Sequence, residues 1–280
     1  MVERFEFRVN EDFAHLLFAD NEGQRLGTSV RRVVLGASDP RLRRVGVLDA
    51  EIYLSHRERF FYGWIVTRSY TKREVASAEL LSVRPNTTFE PAGEECGTTY
   101  DESTACGLCG AGARQVGPLV LGGRLPSGKD AAISIAGELI CSARARGAFI
   151  AAGISGARFE PVRLGKGPLV ASGVWSQPIL TSCEVDLSPQ TVVGINPFDL
   201  DESGECRCRN GDLVGLSPLS EVYVRRESYD GSDIVATRQY VGVRRGLLRP
   251  EKFLLFSQKT IAALESAALK GWKIEVAHLV

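Results

Sequence analysis

Leu139-Ile140-Cys141-Ser142-Ala143-Arg144-Ala145-Arg146-Gly147-Ala148-Phe149-Ile150-Ala151-Ala152-Gly153-Ile154-Ser155-Gly156-Ala157-Arg158-Phe159-Glu160 has a counterpart later in the chain, Leu254 to Glu275, at an offset of 115 residues and without a gap. Leu139/Leu254, Ser142/Ser257, Ala148/Ala263, Ala152/Ala267, Gly156/Gly271 and Glu160/Glu275 are identical, and Phe149/Leu264 and Phe159/Ile274 keep apolar character. Both copies have the same physical reading. A short apolar strand ends at a serine able to cap the helix that follows. The helix buries Phe149 or Leu264, a glycine makes the turn out, and a second strand begins. The expected fold class is therefore α+β, with two related strand–helix–strand modules.

Working outward, Pro161 to Gly173 is rich in glycine and proline and reads as the joint between the modules. Val174 to Val185 and Glu221-Val222-Tyr223-Val224 read as strands, as does Phe60-Phe61-Tyr62-Gly63-Trp64-Ile65-Val66. Arg43 to Leu54 alternates polar and apolar positions in part, and Glu74 to Leu81 fits strand or short helix. These features give three regions: an N-terminal α+β segment over 1–90, a cysteine knuckle with the first module over 91–168, and the second module with a Cys206/Cys208 loop over 169–280.

Composition narrows the function classes. The 280 residues are 44% hydrophobic and 24% charged, which suits a folded core rather than a disordered chain. Lysines and arginines number 34 against 34 acids, so no global field draws the chain to phosphate or acidic lipid. No apolar run approaches the roughly 18 to 20 residues that span a bilayer. The opening residues lack the apolar core of a signal peptide, and a cytoplasmic protein is the expectation.

Seven cysteines without a secretion signal favour metal binding over disulfides. Cys106-Gly107-Leu108-Cys109-Gly110 has the spacing of a zinc knuckle: two thiolates three residues apart turn toward one ion, and glycine permits the backbone turn. A structural Zn2+ needs further ligands, for which Cys206, Cys208 and Cys96 are the candidates, with Cys96 able to replace either of the other two. Cys141 and Cys183 read as small hydrophobes within strands. A closed thiolate site leaves no open position for a reacting water, so its expected role is structural. The acids of 90–105 and 184–205 would give such a centre a negative surface suited to a basic protein partner.

No catalytic motif stands out. His56-Arg57-Glu58 ahead of Cys106-x-x-Cys109 follows the order of a zinc deaminase, in which His56, Cys106 and Cys109 would hold the metal and Glu58 would move protons. Ala105 stands where that pattern has proline. Arg225, Arg226, Arg238, Arg244, Arg245 and Arg249 make the strongest basic stretch, the basis for a nucleic-acid-binding alternative.

The CxxCG element at 106–110, the following Leu119-Val120-Leu121 and Lys129-Asp130, and the unit ending Gly156-Ala157-Arg158-Phe159-Glu160-Pro161-Val162 together resemble the double-CxxCG proteins of myxobacteria. The resemblance covers residues 90 to 280. It implies Cys106 and Cys109 as metal ligands, no catalytic residue, and immunity proteins paired with contact-delivered toxins among the relatives. The chain departs from the pattern in having one CxxCG, with Cys206-x-Cys208 in place of the second. The leading expectation is a zinc-stabilised protein-binding module, non-enzymatic, with a toxin as its most concrete partner. The alternatives are a zinc-dependent hydrolase or deaminase and a nucleic-acid-binding protein.

Overall fold

A computed structural model describes residues 1–122, 127–165, 174–194, 197–198, 207–215 and 217–280. The fold class is mixed α+β, with five helices and several separate sheets among the described residues. Two compact units are present, Met1–Glu74 with Gly194–Leu200, and Val75–Val193 with Asp201–Val280. None of the described helices is long and apolar enough to cross a membrane.

In the N-terminal unit, strand Val2–Asn10 lies between Val30–Gly36 and Phe61–Ser69, antiparallel to both, with Gln24–Arg25 on the outer edge. Arg41–His56 is a helix, so the partial alternation of Arg43 to Leu54 was a misleading signal. Its buried residues, Val45, Leu48, Asp49 and Ile52, have the spacing of one helical face. The buried Asp49 accepts from the Phe60 amide at 2.9 Å and pairs with Arg59, which ties the helix to the start of the next strand. Phe7, Val9, Val33, Leu35 and Phe60 complete this core. Phe198 stacks at 6.0 Å on Phe7, and Gly46 leaves room for it: a Cβ there would stand 2.6 Å from the Phe198 ring.

The second unit contains a four-stranded and a five-stranded sheet. The order of the first is Ala157–Pro161, Trp175–Leu180, Leu139–Ser142, Ala131–Ile133. The order of the second is Val222–Val224, Trp272–Leu279, Leu80–Pro85, Leu254–Ser257, Ile234–Ala236. Leu80–Pro85 therefore belongs to this unit's sheet, although residues 75–90 read with the N-terminal segment. Glu74 to Leu81 is neither wholly strand nor wholly helix, since Lys72–Ser77 is helical and the strand starts at Leu80. The join expected at 168/169 lies outside the described residues.

Helices Ala143–Ala151 and Gln258–Ser266 each follow a capping serine. Ser142 Oγ accepts from the Ala145 amide at 3.1 Å, and Ser257 Oγ accepts from the Thr260 amide at 3.3 Å. Each serine in turn donates to a buried aspartate at 2.8 Å, Asp130 and Asp233 respectively. Each aspartate then reaches the other stretch: Asp130 accepts from the Lys270 amide at 2.8 Å, and Asp233 accepts from the Ser155 amide at 2.9 Å. Gly156 and Gly271, next in the chain, both have positive φ and lie against the backbone of Ile234 and Ala131. Phe149 packs edge-on against Phe256 at 6.2 Å in the shared core with Leu81, Val83, Ile261 and Leu264.

Candidate metal centre

Two loops of the second unit build the site. In the first, Cys106 N donates to Ala111 O and Gly110 N donates to Cys106 O, both at 2.7 Å, closing a tight turn around Cys106-Gly107-Leu108-Cys109. Gly110 supplies the turn's left-handed residue at φ 78°, and its bare Cα lies under the Arg244 side chain, whose Cβ would be 2.7 Å from an added Cβ. In the second, Cys208 N donates to Asp212 O and Gly211 N donates to Cys208 O, both at 2.9 Å, with Gly211 at φ 83°. Both loops are held by a third segment: Arg244 N donates to Cys109 O at 2.8 Å, and Tyr240 N donates to Asp212 Oδ1 at 2.9 Å.

This arrangement brings Cys106, Cys109 and Cys208 together, with their sulfurs all within 4.8 Å of one another. Cys109 and Cys208 are buried, and Ala111, Val214 and Tyr240 pack around them. Each thiol receives the backbone amide two residues further on: Leu108 for Cys106, Ala111 for Cys109 and Asn210 for Cys208. For Cys106, the amides of Cys109 and Leu108 outweigh burial and hold the thiol below its usual range. Burial dominates for the other two, pushing Cys109 up to about 12 and raising Cys208. Burial thus disfavours a bare thiolate at Cys109 or Cys208. A thiophilic divalent ion such as Zn2+ removes that cost by holding thiolates directly.

Among the described residues no other sequence candidate joins the three thiols. Cys96 ends the short helical turn Gly93–Cys96, its sulfur lying against Gly122, and it does not join the three thiols. Cys206 lies outside the described residues. Cys141 is fully buried in its strand, as a packing residue should be, whereas Cys183 is exposed in a non-strand segment, where its amide donates to Asp230 at 3.0 Å. His56, the metal ligand of the deaminase alternative, ends its helix in the N-terminal unit. There its ring packs on Phe13 at 5.4 Å and its Nδ1 lies 2.8 Å from Ser55 Oγ.

The charges around the site also differ from the expected pattern. Glu94 and Glu102, from the first acidic run, are neutralised by Arg244 and Arg249. Arg249 is buried, and its guanidinium lies 3.9 Å from the centre of the Tyr100 ring. Arg225, Arg226 and Arg238 are likewise paired, with Glu227, Glu79 and Asp186. Sequence reading missed Asp212, whose carboxylate faces two of the thiols. Its place four residues after Cys208 was the available signal.

No family model matches this chain, and no curated protein matches it.

Proposed function

We propose that this protein is a zinc-stabilised, non-enzymatic protein-binding module, with immunity to a delivered toxin as the most concrete form of that role. The observation that carries the reading is the meeting of Cys106, Cys109 and Cys208 from two loops that have few apolar side chains of their own. An ion held there cross-links the loops and sets the surface they present. Leu108, at the tip of the knuckle, is 66% exposed and is positioned to act as an apolar anchor for a partner. The described cysteines are all free thiols, which fits a reducing compartment such as the cytoplasm.

We also infer that residues 139–160 and 254–275 are copies of one module. Their matched serine caps and the exchange of Asp130 and Asp233 between them support this reading. Occlusion of a toxin would be carried by a surface held rigid in this way, with buried contacts setting the lifetime of the complex.

The test has two parts. Purified protein should contain one zinc per chain, and Cys109→Ser should lose it; a zinc-free wild type would end the metal reading. A partner retained by the wild type should be released by Leu108→Glu and by chelation. The immunity form requires that co-expression protect cells from that partner, and cells left unprotected would exclude it.

A further inference from the structure

We infer that Asp212 is the fourth ligand of the metal centre, making a Cys106, Cys109, Cys208, Asp212 site. This rests on the metal reading above and adds a residue that neither the knuckle spacing nor the cysteine count identifies.

Asp212 is only 6% exposed. Its Oδ1 is taken by the Tyr240 amide, which aims Oδ2 at the sulfurs, 3.2 Å from Cys208 Sγ and 3.9 Å from Cys109 Sγ. A tetrahedral zinc with ordinary bond lengths places a thiolate sulfur and a carboxylate oxygen about 3.5 Å apart, which the distances to Cys208 and Cys109 bracket, while the carboxylate is not within 4.8 Å of all three sulfurs and has to close toward Cys106 on binding. Among the described residues no lysine, arginine or histidine forms an ion pair with Asp212. Its partners are the Tyr240 amide and the Cys208 and Cys109 thiols, the same sulfurs that a divalent ion would hold.

The loop geometry points the same way. Cys208-Arg209-Asn210-Gly211-Asp212 is closed by hydrogen bonds at both ends and turns at a left-handed glycine, as the loop after Cys106 does. The first loop delivers two thiols from that turn; the second delivers one thiol and one carboxylate. Three thiolates and a carboxylate around Zn2+ carry a net charge of about −2. The amides of Leu108, Ala111, Asn210 and Tyr240 donate into that charge.

Cobalt(II) loading of the full chain tests the assignment, because the sulfur-to-cobalt charge-transfer band scales with the number of thiolates. The wild type, Cys106→Ser, Cys206→Ser and Asp212→Asn are compared for this band and for zinc affinity by chelator competition. Three-thiolate ligation predicts that Cys206→Ser leaves the band and affinity unchanged. Asp212→Asn should keep the full charge-transfer intensity while weakening zinc binding roughly tenfold or more. Cys106→Ser should remove about one third of the wild-type intensity. That wild-type comparison holds even if Asp212→Asn folds poorly. A loss of intensity in Cys206→Ser, or unchanged zinc affinity in a folded Asp212→Asn, overturns the inference while leaving the metal centre standing. A wild type that binds neither metal overturns both.

Discussion

Ser142 and Ser257 each hold a helix start with one oxygen that both accepts an amide and donates to a buried aspartate. Ser142→Ala should cost about 1 to 2 kcal/mol, since it removes the cap and leaves Asp130 short of a donor. Urea unfolding measures the loss, and Ser257→Ala should match it. Gly156 is more demanding. Its φ is 92°, and an added Cβ would lie 2.0 Å from Ile234 O, with backbone on both sides of the clash. Gly156→Ala should therefore destabilise the protein by more than about 2 kcal/mol, combining the left-handed strain with the displacement of a strand. An unchanged unfolding midpoint would refute this packing.

At the scale of the element, Asp130 and Asp233 join the two strand–helix stretches. Burial pushes both carboxyls up, but their donors outweigh it. Arg144, the Lys270 amide and Ser142 hold Asp130 below the usual carboxylate range, and the Ser155 amide, Ser257 and Lys259 hold Asp233 there. A folded value below the unfolded one means that the stabilisation is complete above about pH 4 and is lost as pH falls through the folded values. The wild type should therefore lose stability below about pH 4 more steeply than an Asp130→Asn, Asp233→Asn double variant. Denaturant titrations across that range make the comparison. The knuckle is governed by its turn rather than its helices. Gly110→Ala would bring a Cβ against Arg244 at a left-handed position, so it should weaken zinc binding without touching a sulfur, as chelator competition would show.

Across the whole chain, each unit closes on its own apolar core. The N-terminal unit closes on aromatic packing, and Phe198→Ala should cost roughly 2 to 4 kcal/mol through the cavity left beside Phe7 and Phe61. In the second unit, an ion at the proposed site in hundredfold excess over its dissociation constant would add about 2.7 kcal/mol to that core. Chelation should then lower the unfolding temperature by roughly 5 to 10 °C, which calorimetry with and without chelator would register. Much of the local architecture was legible in the sequence, because it rests on contacts within one or two turns of chain. The strand, serine cap, helix and glycine turn at 139–160 and 254–275 are of this kind, and so is the sharp bend at Cys106-x-x-Cys109-Gly110. The helix over Arg41–His56 was obscured because its buried Asp49 and exposed Leu54 blur the apolar stripe. Only the tertiary structure could bring Asp212 to Cys109, 103 positions away, or pair Arg249 with Glu94 across 155. It also placed Leu80–Pro85 between the strands Leu254–Ser257 and Trp272–Leu279. Those partners share no local pattern, since long-range pairing is selected by the combined burial and charge balance of the folded chain rather than by neighbouring residues.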